Sequence, residues 1–328
     1  MKVVLTEHMA RRWGTAIRRA APRAKLITPS LAPDGSVAWS GDPAGADLVL
    51  LSQDLWEDLE ARAKLIGAFF RIEGVRWLHT FSAGVDAPPF KAMAERGAVI
   101  TNSSGASAPA IAQYVLAQML ARVVPLDAWR DQQRRREWRQ FTSDEKRGEL
   151  TGLTCGIVGT GAIGGEVARL AKAAGMRTLG LRRSARRTRA IDEQYAPPQL
   201  GRLLRQSDFV VLACPLTPET EGLIGERELR AMKPTATLIN IARGKVVDEP
   251  ALVRALREGA IAHAVLDVFW WEPLPDDSPL WALDNVTITP HNAGPSPLNA
   301  GRVMAIVLEN IARYAAGKPL RNTVVFDA

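Results

Sequence analysis

The chain has 328 residues, 47% hydrophobic and 23% charged, with a formal net charge of +7. That length suffices for two ordinary domains, and apolar runs no longer than a strand exclude a bilayer-spanning helix, so no membrane partner is expected. The basic residues are scattered apart from Arg134-Arg135-Arg136 and the stretch from Arg182 to Arg189; without an aromatic-interleaved groove or a DNA-binding motif, they argue against nucleic acid and for small anions or simple solubility.

The N-terminus, Met1-Lys2-Val3-Val4-Leu5-Thr6, enters a strand at once and lacks the layout of a signal peptide. Only two cysteines occur, Cys155 and Cys214, both at predicted strands, where they read as small buried residues of a reducing compartment with no disulfide. A cytoplasmic location is therefore expected.

In chain order, strands are predicted at residues 2–6, 25–28, 47–52, 76–81 and 98–101, with helical patterns between them such as 8–20 and 59–70. Two helical stretches follow, 106–122 and 126–140, separated by Pro125. A second set of strands covers 154–159, 177–181, 208–213, 235–242, 263–269 and 286–289, before a final helix over 297–316. This alternation predicts an α/β protein with two doubly wound parallel sheets. Because the last helix comes after the second sheet is complete, it is expected to return to the first unit. That gives a discontinuous domain of residues 1–103 plus 295–328 and an insert of residues 104–294.

The insert carries Gly159-Thr160-Gly161-Ala162-Ile163-Gly164 between a predicted strand and a helix. The Gly-x-Gly-x-x-Gly spacing is weak in isolation but specific in this context. The glycines allow a tight turn and close approach of a pyrophosphate, and the helix N-terminus offers unpaired N–H groups. A glycine-rich turn without a ligand is the plain alternative. The next strand should end near the adenosine ribose, where a carboxylate would favour NAD. Here Arg182, Arg183 and Ser184 stand instead, with Arg186, Arg187 and Arg189 nearby and no acid before Asp192. Guanidinium groups there suit a 2′-phosphate, so NADP(H) is expected over NAD(H), against a merely solvated basic loop.

Three residues downstream of this loop carry the chemistry. Arg243, Glu272 and His291 each follow an apolar run, at the strand ends where doubly wound sheets bind ligands. An arginine fork can grip a carboxylate and polarise a carbonyl. A histidine transfers protons near neutrality, and a glutamate on its second nitrogen would orient the ring and raise its pKa. Of the four histidines, His79 and His263 fall inside predicted strands and read as packing residues, while His8 follows the first strand. No metal is expected.

The chain resembles the D-isomer-specific 2-hydroxyacid dehydrogenases over nearly its full length, in particular their glyoxylate/hydroxypyruvate reductase and 2-keto-acid reductase branch. The likeness rests on the glycine loop, Cys214-Pro215-Leu216-Thr217-Pro218-Glu219-Thr220, NIARG, LDVFWWEPLP, Ser278-Pro279-Leu280-Trp281 and TPHNAG. It implies a Rossmann cofactor domain inserted into a discontinuous flavodoxin-like substrate domain, and a homodimer built through helices near the start of the insert. It further implies that the backbone of Ser82, Ala83 and Gly84 holds a substrate carboxylate, with Arg243 and His291 also on the substrate. Pro215, Thr220, Ile241 and Asp267 are implied cofactor contacts, Asp267 near the nicotinamide amide, and Arg243, Glu272 and His291 match the catalytic trio. Trp138 is placed to reach a partner's cleft, or else packs on its own helix. Trp56, Trp270, Trp271 and Trp281 are further candidates for lining the cleft.

The expected reaction is reduction of a small 2-keto acid to the D-2-hydroxy acid by hydride transfer from NADPH. Gln113 stands where relatives commonly carry Glu, and no C-terminal regulatory domain is expected. A dinucleotide-sensing co-repressor on the same scaffold is the alternative of a different class; formate dehydrogenase is the nearer enzymatic rival, which Glu272 disfavours.

Overall fold

The computed structural model describes residues 1–56, 59–140, 142, 148–184 and 188–326. Arg186 and Arg187 lie outside the described residues, as does the side chain of Trp56. The chain divides into two compact units, one made of Met1–Ser107 with Ser296–Ala328 and the other of Ala108–Pro295.

The first unit contains strands β1 (Lys2–Val4), β2 (Lys25–Ile27), β3 (Pro29–Leu31), β4 (Val37–Trp39), β5 (Leu48–Leu51), β6 (Trp77–Thr80) and β7 (Val99–Asn102). Its helices are α1 (Glu7–Ala20), α2 (Leu59–Phe70), α3 (Pro88–Glu95) and the C-terminal helix Asn299–Ala315. A parallel sheet runs in the order β2-β1-β5-β6-β7, while β3 and β4 form a separate antiparallel pair. With that pair set aside, the order is the flavodoxin-like one.

Side-chain alternation sorts the first core into two faces. Val3, Leu5, Leu48, Leu50 and Trp77 pack with Ile17 of α1 and with Val303, Val307 and Ile311 of the C-terminal helix. Val4, Val49, Leu51, Leu78 and Ile100 face Phe69 of α2 and Phe90 and Met93 of α3. At the start of α1, Thr6 accepts a hydrogen bond from the backbone of Met9, and Glu7 and Arg18 sit at the ends that suit their charges.

The second unit holds helices α4 (Ala108–Val123) and α5 (Leu126–Arg134), then strands β8 (Thr154–Val158), β9 (Arg177–Leu181), β10 (Glu193–Tyr195), β11 (Phe209–Leu212), β12 (Thr237–Asn240), β13 (His263–Leu266) and β14 (Val286–Ile288). Helices α6 (Ala162–Ala173), α7 (Leu200–Gln206), α8 (Glu226–Ala231) and α9 (Glu249–Arg257) lie between the strands in sequence. All seven strands are parallel, in the order β10-β9-β8-β11-β12-β13-β14. This is the dinucleotide-binding order, in which chain direction across the sheet reverses between β8 and β11. Both faces are covered, with α4 and α6 on one and α7 to α9 on the other. That explains why strands such as β8 and β11 are buried at every position and why β11 reads as an unbroken apolar run.

Several local expectations change. Helix α5 ends at Arg134, not at 140, because Arg136 turns left-handed (φ 59°) and Glu137 donates back to the carbonyl of Gln132. Trp138 is therefore not on a helix, and it is 93% exposed. The hairpin β3–β4 and the edge strand β10 were not read from sequence. Strands β12 and β13 stop at Asn240 and Leu266, so Arg243 and Asp267 stand in the loops beyond them. Cys155 and Cys214 are free thiols, and burial pushes their pKa values up to about 12 and about 11. No single helix among the described residues is long and apolar enough to cross a membrane.

Candidate active site

The turn after β8 shows why each of its glycines is needed. Gly159 has φ +96°, and a Cβ there would meet the backbone of Ala213 and Cys214 at 2.7 and 2.6 Å. At Gly164 a Cβ would lie 2.0 Å from the carbonyl oxygen of Gly159, closing off the packing of α6 on the turn. Gly161, by contrast, has nothing within 4 Å of its missing Cβ. This open side lies at the N-cap of α6, whose first N–H groups and dipole favour an anion. The side-chain oxygen of Thr160 is buried without a partner. These features fit a dinucleotide pyrophosphate.

At the carboxyl end of β9, Arg182, Arg183 and Ser184 line a cavity of about 600 Å³ together with Thr188, Tyr195 and Arg202. Arg202 lies over the ring of Tyr195 at 5.3 Å. Arg183 acts electrostatically on Glu219 in the loop that follows β11, so the loops after the two strands approach one another. Two acids, Asp192 and Glu193, line the same cavity and already carry hydrogen-bond partners. Asp192 accepts from Lys172 at 2.5 Å and from the backbone and hydroxyl of Thr178 at 2.9 Å each, while Glu193 pairs with Arg177 and Tyr195.

The loops after β12, β13 and β14 bring the sequence-derived trio together. His291 Nδ1 is 2.8 Å from Glu272 Oε2, and the other carboxylate oxygen accepts from the backbone N–H of Phe269 at 3.1 Å. Arg243 is half-buried, directs one guanidinium N–H to the carbonyl of Ala242, and acts electrostatically on both Glu272 and His291. The hydrogen bond to Glu272 raises the His291 pKa above 6.5, against the opposing effects of burial and the Arg243 charge. Burial works to raise the Glu272 pKa, but hydrogen bonds from His291 and Phe269 and the two nearby cations leave it below 4.5. A Cβ on Gly244 would fall 1.9 Å from the carbonyl carbon of Phe269, so only glycine lets the arginine-bearing and glutamate-bearing segments touch. Trp270 donates its indole N–H to Val247 across the same contact.

The remaining residues divide by what their side chains do. Thr220 holds its own loop, donating to the carbonyl of Pro215 at 2.7 Å and accepting from Thr217 N–H at 2.8 Å. Ile241 is buried in the core beneath α4 and α6. Asp267 is 3% exposed, and its carboxylate accepts from Thr289, Asn292 and Ala293. Gly244, Thr289 and Tyr114 were not singled out from sequence; their importance comes from contacts between distant segments, which no local spacing announces. Of the other histidines, His8 is exposed, while burial lowers His79 to about 3 and His263 to about 4, leaving both neutral.

In the first unit, the loop after β6 has its carbonyls tied down. Ser82 O accepts from Ser103 N–H, Ala83 O from the Asn102 side chain, and Gly84 O from the Ser82 hydroxyl. In a planar trans peptide the following N–H points the opposite way, so successive amides here turn away from their carbonyl partners, an arrangement suited to an anion. Beneath this loop, proton positions follow from the donors available. Trp77 donates to Thr101, whose own proton goes to His79 Nδ1; His79 Nε2–H then donates to Ser103, which donates to Thr80 O.

Comparison with known proteins identifies the family. Residues 116–293 match the family model for the D-isomer specific 2-hydroxyacid dehydrogenase NAD binding domain. A glyoxylate reductase of Korarchaeum cryptofilum is 40% identical over 257 residues, 76% of each chain. A solved D-isomer specific 2-hydroxyacid dehydrogenase family protein from Aeromonas salmonicida superposes with a TM-score of 0.81 at 32% identity, covering 99% of both chains. Another such dehydrogenase, from Xanthobacter autotrophicus Py2 in complex with NADPH and MES, gives a TM-score of 0.77 at 30% identity, covering 99% of this chain and 97% of that one. With a nicotinamide-dinucleotide fold and a histidine–glutamate pair beside an arginine, the chain belongs to the D-isomer specific 2-hydroxyacid dehydrogenase family.

Proposed function

We propose that the protein reduces a small 2-keto acid of the glyoxylate or hydroxypyruvate type to its D-2-hydroxy acid, with NADP(H) preferred over NAD(H). The observation that carries this reading is the 2.8 Å contact between His291 Nδ1 and Glu272, with Arg243 acting on both. Gly159, Thr160, Gly161, Ala162, Ile163 and Gly164 would hold the pyrophosphate, with Pro215, Thr220, Ile241 and Asp267 flanking the rest of the dinucleotide. When bound, the cofactor supplies the hydride. The guanidinium of Arg243 grips the substrate carboxylate and polarises the keto oxygen. Glu272 fixes the proton on Nδ1 of His291, so Nε2 is the atom that hands a proton to the forming alkoxide. The backbone of Ser82, Ala83 and Gly84, through the N–H groups that follow its tied carbonyls, forms a separate carboxylate-binding element of the first unit.

Two further features support the finer assignments. Arg182, Arg183 and Ser184 offer a 2′-phosphate two cations and a hydroxyl, and the two acids that line the same cavity, Asp192 and Glu193, are already paired with Lys172, Thr178 and Arg177. Leu120, Leu126, Trp129 and Trp138 are large apolar side chains exposed on and after α4 and α5, which favours a homodimer through this region; a monomeric mass in sedimentation equilibrium would remove that part.

The decisive assay follows oxidation of NADPH and of NADH with glyoxylate, hydroxypyruvate and larger 2-keto acids. Turnover is expected with the small acids and a higher kcat/KM for NADPH; no turnover with any acid ends the reading. Arg182→Ala should lower kcat/KM with NADPH by about 10- to 100-fold, the range for losing a charge-assisted hydrogen bond, and leave NADH within about twofold.

A further inference from the structure

A histidine that must hold one ring nitrogen on Glu272 needs its own backbone fixed, and His291 sits on a turn at φ 53°, a left-handed conformation uncommon for any residue but glycine. Asp267 holds most of the turn, with the Thr289 carbonyl sharing the His291 N–H at 3.0 Å. The Asp267 carbonyl accepts from His291 N–H at 2.9 Å, and its carboxylate accepts from Asn292 N–H at 2.9 Å and Ala293 N–H at 3.1 Å. The residue leading into the turn, Thr289, donates its hydroxyl to the same carboxylate at 2.5 Å and lies 2.8 Å from the hydroxyl of Tyr114 on α4.

The direction of these bonds is determined. A carboxylate only accepts and a threonine hydroxyl has one proton, so Thr289 donates to Asp267 and Tyr114 must donate to Thr289. Burial, opposed by its hydrogen bond to Thr289, raises the Tyr114 pKa and keeps that phenol protonated. Helix α4 packs against α6, which opens at the glycine loop, so the chain from Tyr114 to Asp267 ties the histidine turn to the rigid part of the unit. The charged groups that bear on His291 are Glu272, Arg243 and Asp267.

We propose that Thr289, latched between Tyr114 and Asp267, is a positioning residue that holds His291 in register with Glu272. The inference rests on the reductase reading for its kinetic consequences but not for its structural ones. Without the latch the turn relaxes, the imidazole leaves Glu272 more of the time, and the His291 pKa falls back towards its ordinary value.

The test compares Thr289→Val, Thr289→Ser, Tyr114→Phe and the double variant Tyr114→Phe/Thr289→Val in the full-length protein with NADPH and glyoxylate. Thr289→Val should lower kcat by about 10- to 100-fold with the KM for NADPH within about twofold, and Thr289→Ser should restore most of it. Tyr114→Phe should cost about 2- to 10-fold alone, and nothing beyond Thr289→Val in the double variant, since both act through one hydroxyl. The His291 titration, read by NMR on histidine-labelled protein and assigned with His291→Ala, should move to lower pH in Thr289→Val. An unmoved titration or additive losses would overturn the proposal; a wild-type protein inactive on every keto acid would overturn the reductase reading while leaving this titration to decide.

Discussion

His291 Nδ1 pairs with Glu272 at 2.8 Å, and the chemistry assigned to the ring depends on that contact. His291→Ala should lower kcat for keto-acid reduction by about 10²- to 10⁴-fold, the range for a lost general acid, with dinucleotide affinity measured by fluorescence unchanged. Because the His291 pKa is raised, the protonated form that reduction needs persists above pH 6.5; kcat for reduction should fall, and kcat for oxidation rise, as pH passes through that raised value. Glu272→Gln should move this transition to lower pH. Stability follows the same signs. The raised histidine contributes stability that is fully present below 6.5 and lost as pH rises through its folded value. The depressed glutamate contributes stability present above 4.5 and lost as pH falls through its own. Hence the difference in melting temperature between wild type and Glu272→Gln should be largest from pH 4.5 to 6.5 and shrink on either side. At this scale the sequence was informative: Arg243, Glu272 and His291 were all marked by their places after apolar runs. Thr289 and Tyr114 were not, since a hydroxyl in a strand end and a phenol on a helix face have no signature until folding brings them to 2.8 Å.

Among the elements, the turn between β8 and α6 separates binding from folding. Gly161→Ala places a methyl in open space at an ordinary negative φ, so its melting temperature should stay within a few degrees while dinucleotide affinity drops by at least about tenfold, because the added carbon occupies the approach of the pyrophosphate. Gly164→Ala should instead destabilise the fold by about 1–3 kcal/mol or more through overpacking, as measured by denaturant unfolding, given the 2.0 Å approach to Gly159 O. Parity in both measurements between the two variants would contradict this division. The glycine spacing was legible from sequence; which glycine serves which purpose was not. Nor were β3, β4 and β10, each only three residues long: β3 and β10 carry proline or polar residues where a buried strand would show an apolar run, and β4, Val37-Ala38-Trp39, is too short to show a period. The early end of α5 at Arg134 was hidden for a related reason: its stop uses an arginine in the left-handed conformation, where glycine would have announced it.

For the molecule as a whole, alternation of strand and helix was enough to read two parallel sheets, because every strand of the second unit except its edge is long or apolar enough to show. Which strands are neighbours, and which loops meet, is a matter of topology that one-dimensional pattern leaves open. The net charge of +7 also acts at this scale. With an anionic keto acid and NADPH, kcat/KM should decline as salt rises from about 0.01 to 0.3 M, since the Debye length shrinks from about 30 Å to well under 10 Å. A salt-independent value would show that the overall field plays no part in capture. The seam between Gly244 and Phe269 has one more implication. The two loops fit without a gap, so neither can be reshaped alone; variants with a different taste in keto acids are best sought at positions that border neither side of that junction.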